Sequence, residues 1–186
     1  MMFSRYTLTA MALSWALVGQ SLAAADRDAD LSLMRNIQRA VESTADFTVF
    51  DDVKFDVSDT GSVVLTGHVT ARTKRDEIAR RVSMVNRVVG VQNDLAVLPP
   101  SQLDTELRYL IARSIYGSST FWHYAARRNP PIYIVVEGGH VTLTGQVDSA
   151  AELAMAGALA SNAATRSLTN DLKLSGGVRA SREALD

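Results

Sequence analysis

Cysteine is absent from the 186 residues. That absence excludes disulfide frameworks, thiolate zinc sites, cysteine nucleophiles and a lipid-modified N-terminal cysteine at once. Neither sign of charge dominates, with 19 Lys and Arg against 20 Asp and Glu. A nucleic-acid binder carries a clear cationic excess, so nucleic acid is not an expected partner. Beyond the N-terminal stretch no apolar run is long enough to cross a bilayer. The three histidines, His68, His123 and His140, are scattered, without an H-E-x-x-H motif or a pair at helical ligand spacing. There is no G-x-S-x-G elbow, no G-x-G-x-x-G fingerprint and no Walker pattern. The acidic residues are spread as a solvated surface requires, and no two can be given acid and base roles. No catalytic residue, metal, cofactor or small-molecule substrate is therefore expected. What remains is 47% hydrophobic and 21% charged, an ordinary globular composition.

The N-terminus has the form of a secretory signal. Arg5 supplies a single positive charge, an apolar run follows from Leu8 to Val18, and Ala23 and Ala25 are small residues just before Asp26. The apolar core is too short to span a membrane comfortably, and the A-x-A ending sets the expected cleavage after Ala25. The mature chain is then expected outside the cytoplasm, in the periplasm.

That mature chain repeats itself. Gly61-Ser62-Val63-Val64-Leu65-Thr66-Gly67-His68-Val69 matches Gly139-His140-Val141-Thr142-Leu143-Thr144-Gly145-Gln146-Val147 at a shift of 78 positions. Val91-Gln92-Asn93-Asp94-Leu95 matches Leu168-Thr169-Asn170-Asp171-Leu172 at a shift of 77. Two matched blocks almost in register indicate two copies of one module rather than a solenoid. Leu98-Pro99-Pro100-Ser101 lies between them, and consecutive prolines favour a stiff extended connector. The expected division is a leader over 1–25, a first module over 26–98, a second over 101–175 and a flexible tail over 176–186.

In the first copy, Leu33, Ile37, Ala40 and Val41 line one face of a helix. Val53, Phe55 and Val57 alternate with polar residues, Asp59-Thr60-Gly61 turns the chain, and Val63, Leu65 and Val69 alternate again, which is a β-hairpin. Ile78, Val82, Val85 and Val89 step by four, three and four residues, with Gly90 placed as a helix C-cap, and Val91 to Val97 closes as a strand. The second copy follows the same order. Ser101 and Asp104 have capping-box spacing ahead of Leu103, Leu107, Leu110, Ile111 and Ile115, and Ser149 and Glu152 offer another ahead of Leu153, Ala156, Leu159 and Ala163. The expected class is α+β: two tandem αββαβ modules, each with two helices packed on one face of a three-stranded mixed sheet.

Gly61 and Gly139 serve turns needing positive φ, whereas Gly67 and Gly145 lie inside strands, where close helix packing or a bulge is expected. Asn93 and Asn170 are expected to bond neighbouring backbone.

The repeated G-x-V-x-L-x-G-x-V block, the helix after it, the Gly90-Val91 step and the N-x-L ending together resemble the BON domain. Two copies behind a leader resemble the periplasmic osmotic-stress type of BON protein. The resemblance implies an αββαβ fold, no catalytic activity, and a role in binding phospholipid membranes or supporting the envelope, with chaperone-like protection of envelope proteins as the alternative. The second copy departs from the pattern at Thr165-Arg166-Ser167, which replaces the usual Gly-Val step, and in its longer segment from Gly117 to Pro131.

That longer segment holds the candidate binding residues. Phe121, Trp122 and Tyr124 stand beside Arg127 and Arg128. Aromatic rings prefer the headgroup boundary and guanidinium groups attract anionic phosphates, so an anionic phospholipid surface is the expected partner. A second cationic group, Arg72, Lys74, Arg75, Arg80, Arg81 and Arg87, is expected along the second helix of the first copy.

Overall fold

The computed structural model describes residues 14–175, with side chains from Arg27 onward. Residues 1–13 of the expected leader and the expected flexible tail, 176–186, lie outside the described residues. The first helix, α1, runs Ser14–Glu42 without a break at Ala25. Cleavage there would leave intact the part that enters the core, because Leu33, Ile37 and Val41 are all buried. Among the described residues no helix is long and apolar enough to cross a membrane.

The first module continues with β1 (Asp52–Val57), β2 (Ser62–Val69), α2 (Arg72–Ser83) and β3 (Gly90–Val97). β1 and β2 are antiparallel, with Val53 opposite Gly67 and Phe55 opposite Leu65. β3 returns parallel to β2 after the α2 crossover, giving the order β1-β2-β3. Val63, Leu65 and Val69 point to the helix side, where Ile37, Ile78 and Val82 cover them completely. Burying side chains of that size contributes about 1.5–3 kcal/mol each, which is what holds so small a sheet.

The second module comprises α3 (Gln102–Tyr116), α4 (Trp122–Ala125), β4 (Ile132–Glu137), β5 (His140–Val147), α5 (Ala150–Ser161), β6 (Ser167–Asn170) and β7 (Lys173–Leu174). The αββαβ order is present twice, with the four-residue α4 added in the longer segment of the second copy. Its third strand is interrupted: β6 and β7 both run parallel to β5 but are separated by Asp171 and Leu172. Leu172 turns into the core at the break. Ala156 and Ala160 are the fully buried residues of α5, so that helix packs with little apolar bulk, as its alanine-rich face implies.

Two expected details differ. Helix α2 ends at Ser83, well before Gly90, with Met84 as its C-cap in right-handed geometry. Single turns carry the chain onward, with Val85 N–H to Val82 O and Val88 N–H to Val85 O, and Arg87 takes the positive φ of 75°. Val85 and Val88 still reach the core, which preserves helical spacing after the helix has ended, while Val89 is exposed. Gly90 is simply the first residue of β3.

The second detail concerns Gly67 and Gly145. They make room for a neighbouring strand rather than a helix. Both have positive φ, 115° and 108°, and a Cβ on either would collide with a backbone carbonyl across the sheet, Asp52 O or Pro131 O.

The modules touch through the segment leading into β1. Ile134 N–H donates to Val49 O at 2.7 Å, and Asn129 Nδ2 donates to Glu42 Oε2 at 3.1 Å. Phe47 meets Tyr133 edge-on at 6.2 Å, and Phe50 meets Tyr109 edge-on at 5.2 Å.

Candidate functional site

The segment between α3 and β4 is built around two buried rings. Successive turns at Phe121 and Tyr124 fold it into α4. Phe121 and Tyr124 are fully buried and stack at 6.1 Å in the core of the second module. Tyr124 Oη donates to Glu152 Oε2 at 2.9 Å and accepts from Asp148 N–H at 2.9 Å, tying α4 to the β5–α5 junction. Burial, reinforced by the Glu152 hydrogen bond, pushes this phenol well above its ordinary pKa. The Arg127 guanidinium lies 4.8 Å from the Tyr124 ring centre and the His123 ring 4.0 Å from it, so both cover the ring.

Of the five expected binding residues, Phe121 and Tyr124 are therefore core residues and cannot reach a membrane. Trp122 is 67% exposed, and Arg127 and Arg128 are exposed beside it in sequence. An aromatic cluster in a loop has no periodicity to separate the inward rings from the outward one.

Exposed apolar residues also lie on α3. Leu103 is 78% exposed and Leu110 55%, and with half-buried Leu107 they line a groove of about 450 Å³ between α3 and the β4–β5 turn. Arg166 forms the opposite wall with Ala164. Their helical spacing groups these leucines with Ile111 and Ile115, which are buried. The apolar stripe is wider than the core it serves, and the surplus faces out. Asp104 anchors the groove floor. Ser101 Oγ caps the helix by accepting from Asp104 N–H at 3.2 Å, but the Asp104 carboxylate leaves the expected box and accepts from Gly138 N–H and Gly139 N–H, both at 2.8 Å.

The corresponding groove of the first module, between α1 and the β1–β2 turn, is bridged by an ion pair, Arg87 to Asp30 at 3.0 Å. The groove of the second module carries no such bridge among the described residues.

The other expected cationic group is largely engaged in ion pairs. Lys74 pairs with Asp51 at 2.7 Å, Arg75 with Asp76 at 3.2 Å, Arg80 and Arg81 both with Glu77 at 2.6 and 2.7 Å, and Arg87 with Asp30. Arg87 also lies beyond the end of α2. Arg72 alone of the six forms no ion pair among the described residues. Among the described residues no three His, Asp or Glu side chains gather as a metal site.

The match to one protein-family model agrees with this architecture. The family model of the BON domain matches residues 29–99 and 123–176. Two solved structures of CdsD, a structural protein of the type III secretion system of Chlamydia trachomatis, are similar at low level. Its C-terminal domain matches at 13% identity and a TM-score of 0.32, covering 76% of this chain and 96% of that one. The other matches at 14% and 0.31, covering 81% and 97%. A search of the curated proteins finds no match.

Proposed function

Because the chain belongs to the BON-domain family, in two tandem copies, we propose that it is a non-enzymatic periplasmic protein that docks on anionic phospholipid surfaces through its second module and so supports the envelope. The observation that carries this reading is the exposure of Leu103 and Leu110 along an open groove walled by Arg166, on the same module as exposed Trp122, Arg127 and Arg128. Leucines enter the acyl boundary, indole settles at the headgroup level, and arginines contact phosphate. Most cations of α2 are held in ion pairs with neighbouring carboxylates, whereas Arg127, Arg128 and Arg166 form none among the described residues, which favours docking by the second module.

Cosedimentation of the mature chain from Asp26 with phosphatidylglycerol liposomes, at low and high salt, tests this. Binding that weakens with salt, and that falls in Trp122→Ala and in the pair Leu103→Ser with Leu110→Ser, is the expected result. Absence of binding at either salt overturns it.

One observation favours a second reading, interaction with envelope proteins. β3 is an outer strand of its sheet, paired with β2 alone among the described residues, and an outer strand can accept an extended segment of another chain. Suppressed aggregation of a client without liposome binding would select this reading.

A further inference from the structure

The outward stripe of α3 is complementary to itself. Leu103, Glu106, Leu110 and Arg113 follow one another at intervals of three, four and three residues, so they share one helix face, and all four are exposed. The fold does not require this pattern. Leu33, Ile37 and Val41 of α1 correspond to Leu107, Ile111 and Ile115 of α3 at a shift of 74, and the same shift sets Ala29, Ser32, Asn36 and Arg39 against the four stripe residues. The first module thus holds its core with no leucine on that face. Neither charge of the stripe is neutralised. Glu106 and Arg113 form no ion pair among the described residues, and Glu106 accepts only from Gln102 Nε2 on its own helix, at 3.1 Å.

Helix α5 widens the same face. It packs alongside α3, with Ser114 Oγ donating to Leu159 O at 3.2 Å, and its outward residues Ala151, Ala154, Met155 and Ala158 carry no charge. Its one ionisable residue, Glu152, is turned to Tyr124 Oη and the Asp148 N–H. By contrast α2, the counterpart of α5, exposes Arg72, Asp76 and Arg80. A broad uncharged helix layer, crossed only by one acid and one base, is the mark of an interaction surface.

We infer that the α3–α5 face of the second module is a self-association surface, and that its occupant is the same face of a second copy of this chain, related by a two-fold axis beside Leu110. The two α3 helices then run antiparallel. Glu106 and Arg113 lie about two turns apart on either side of that axis, so Glu106 of each copy meets Arg113 of the other while Leu110 packs on its counterpart. An anionic lipid surface offers Glu106 no partner, whereas a second copy does. The face spans the 15 residues of α3, about 22 Å, and is two helices wide. That is small for a specific interface, so the dimer is reversible. It covers Leu103 and Leu110 when no lipid is present, and it forms whether or not lipid binds.

Sedimentation velocity of the mature chain from Asp26, without lipid, over low to high micromolar concentration tests this. A concentration-dependent dimer is expected. Glu106→Arg and Arg113→Glu each bring like charges together and should weaken it about tenfold or more. Mixed in equal amounts, these two variants should pair with each other, and both reversals carried on one chain should restore the dimer, because opposite charges meet again in each case. Leu110→Ser should weaken it as well. All three positions are exposed, so the variants keep the fold, which circular dichroism checks. A chain that stays monomeric, a dimer indifferent to the reversals and to Leu110→Ser, or a weakened dimer that neither the mixture nor the double reversal restores would overturn the proposal. A monomer that binds liposomes overturns this inference alone, and a dimer that binds none overturns the lipid reading alone.

Discussion

Asn93 and Asn170 make the same pair of bonds in the two modules. Asn93 Nδ2 donates to Arg75 O inside α2 at 3.1 Å, while its Oδ1 accepts from Leu95 N–H at 3.3 Å. Asn170 Nδ2 donates to Leu153 O inside α5 at 2.9 Å, while its Oδ1 accepts from Leu172 N–H at 3.4 Å. Each amide therefore clamps the third strand to the helix that crosses over it. A carboxylate cannot donate and an aliphatic chain can do neither, which explains why both copies need asparagine at this point. Arg75 and Leu153 contribute only their backbone, so their side chains are free to differ.

Asn93→Ala and Asn170→Ala should each cost about 1–2 kcal/mol, because two hydrogen bonds that join strand to helix are lost together. Urea denaturation measures this. Asn93→Asp should be nearly as damaging as alanine at neutral pH, since it restores the acceptor but not the donor. A tolerated aspartate would mean that the strand bond matters and the helix bond does not.

Glycine substitutions should divide sharply by position. Gly67→Ala and Gly145→Ala place a Cβ against the carbonyl of the adjoining strand at a φ that side chains rarely adopt. Backbone strain alone costs about 1–3 kcal/mol and the collision adds to it, so both variants should be severely destabilised or fail to fold. Gly90→Ala meets nothing within 4 Å and should stay within about 0.5 kcal/mol of the parent. Thermal denaturation of the three variants checks the contrast.

The glycine and asparagine positions were legible because they recur: a residue type returning at the same point of a repeated pattern marks a backbone requirement rather than an accident. What the sequence left hidden is non-local. Asp104 stands at capping-box spacing, yet its carboxylate reaches Gly138 and Gly139, a turn more than thirty residues away. The end of α2 was concealed because Val85 and Val88 keep contact with the core through single turns. The inward and outward members of Phe121, Trp122 and Tyr124 were inseparable, since the Glu152 and Asp148 partners that hold Tyr124 inward come from far along the chain. Buried Arg108 carried no signal at all, for the carbonyl that receives its guanidinium, Val136 O, lies on β4 and far along the chain.

The buried pair Asp51 and Lys74 should show unequal single-variant costs. Asp51 is fully buried and receives donors from Thr48, Thr70 and Lys74, joining the segment before β1 to the start of α2. Asp51→Ala leaves the Lys74 ammonium, at 11% exposure, without its counter-charge, together with two orphaned backbone N–H groups, and should cost about 3–5 kcal/mol. Lys74→Met leaves Asp51 with the four Thr donors and should cost clearly less. In a double-mutant cycle read by urea denaturation, the double variant should lose less than the summed singles. Strict additivity would show that the 2.7 Å contact is not an energetic unit.

Glu77 should give the protein a salt-sensitive acid dependence. Its carboxylate accepts from Arg80 Nε at 2.7 Å and from Arg81 Nε at 2.7 Å, and these hydrogen bonds, Arg80 first, lower its pKa from 4.5 to about 2. A carboxylate whose folded pKa is depressed stabilises the fold fully above its unfolded value, and that contribution drains away as pH falls from about 4.5 toward 2. The parent should therefore exceed Glu77→Gln in urea midpoint at pH 6, and the gap should narrow at pH 3. Because the cluster faces solvent, high salt at pH 6 should narrow it as well. A gap that is unchanged between pH 6 and pH 3 would mean that the two arginines stabilise α2 through packing of their stems, with the charge of Glu77 playing no part.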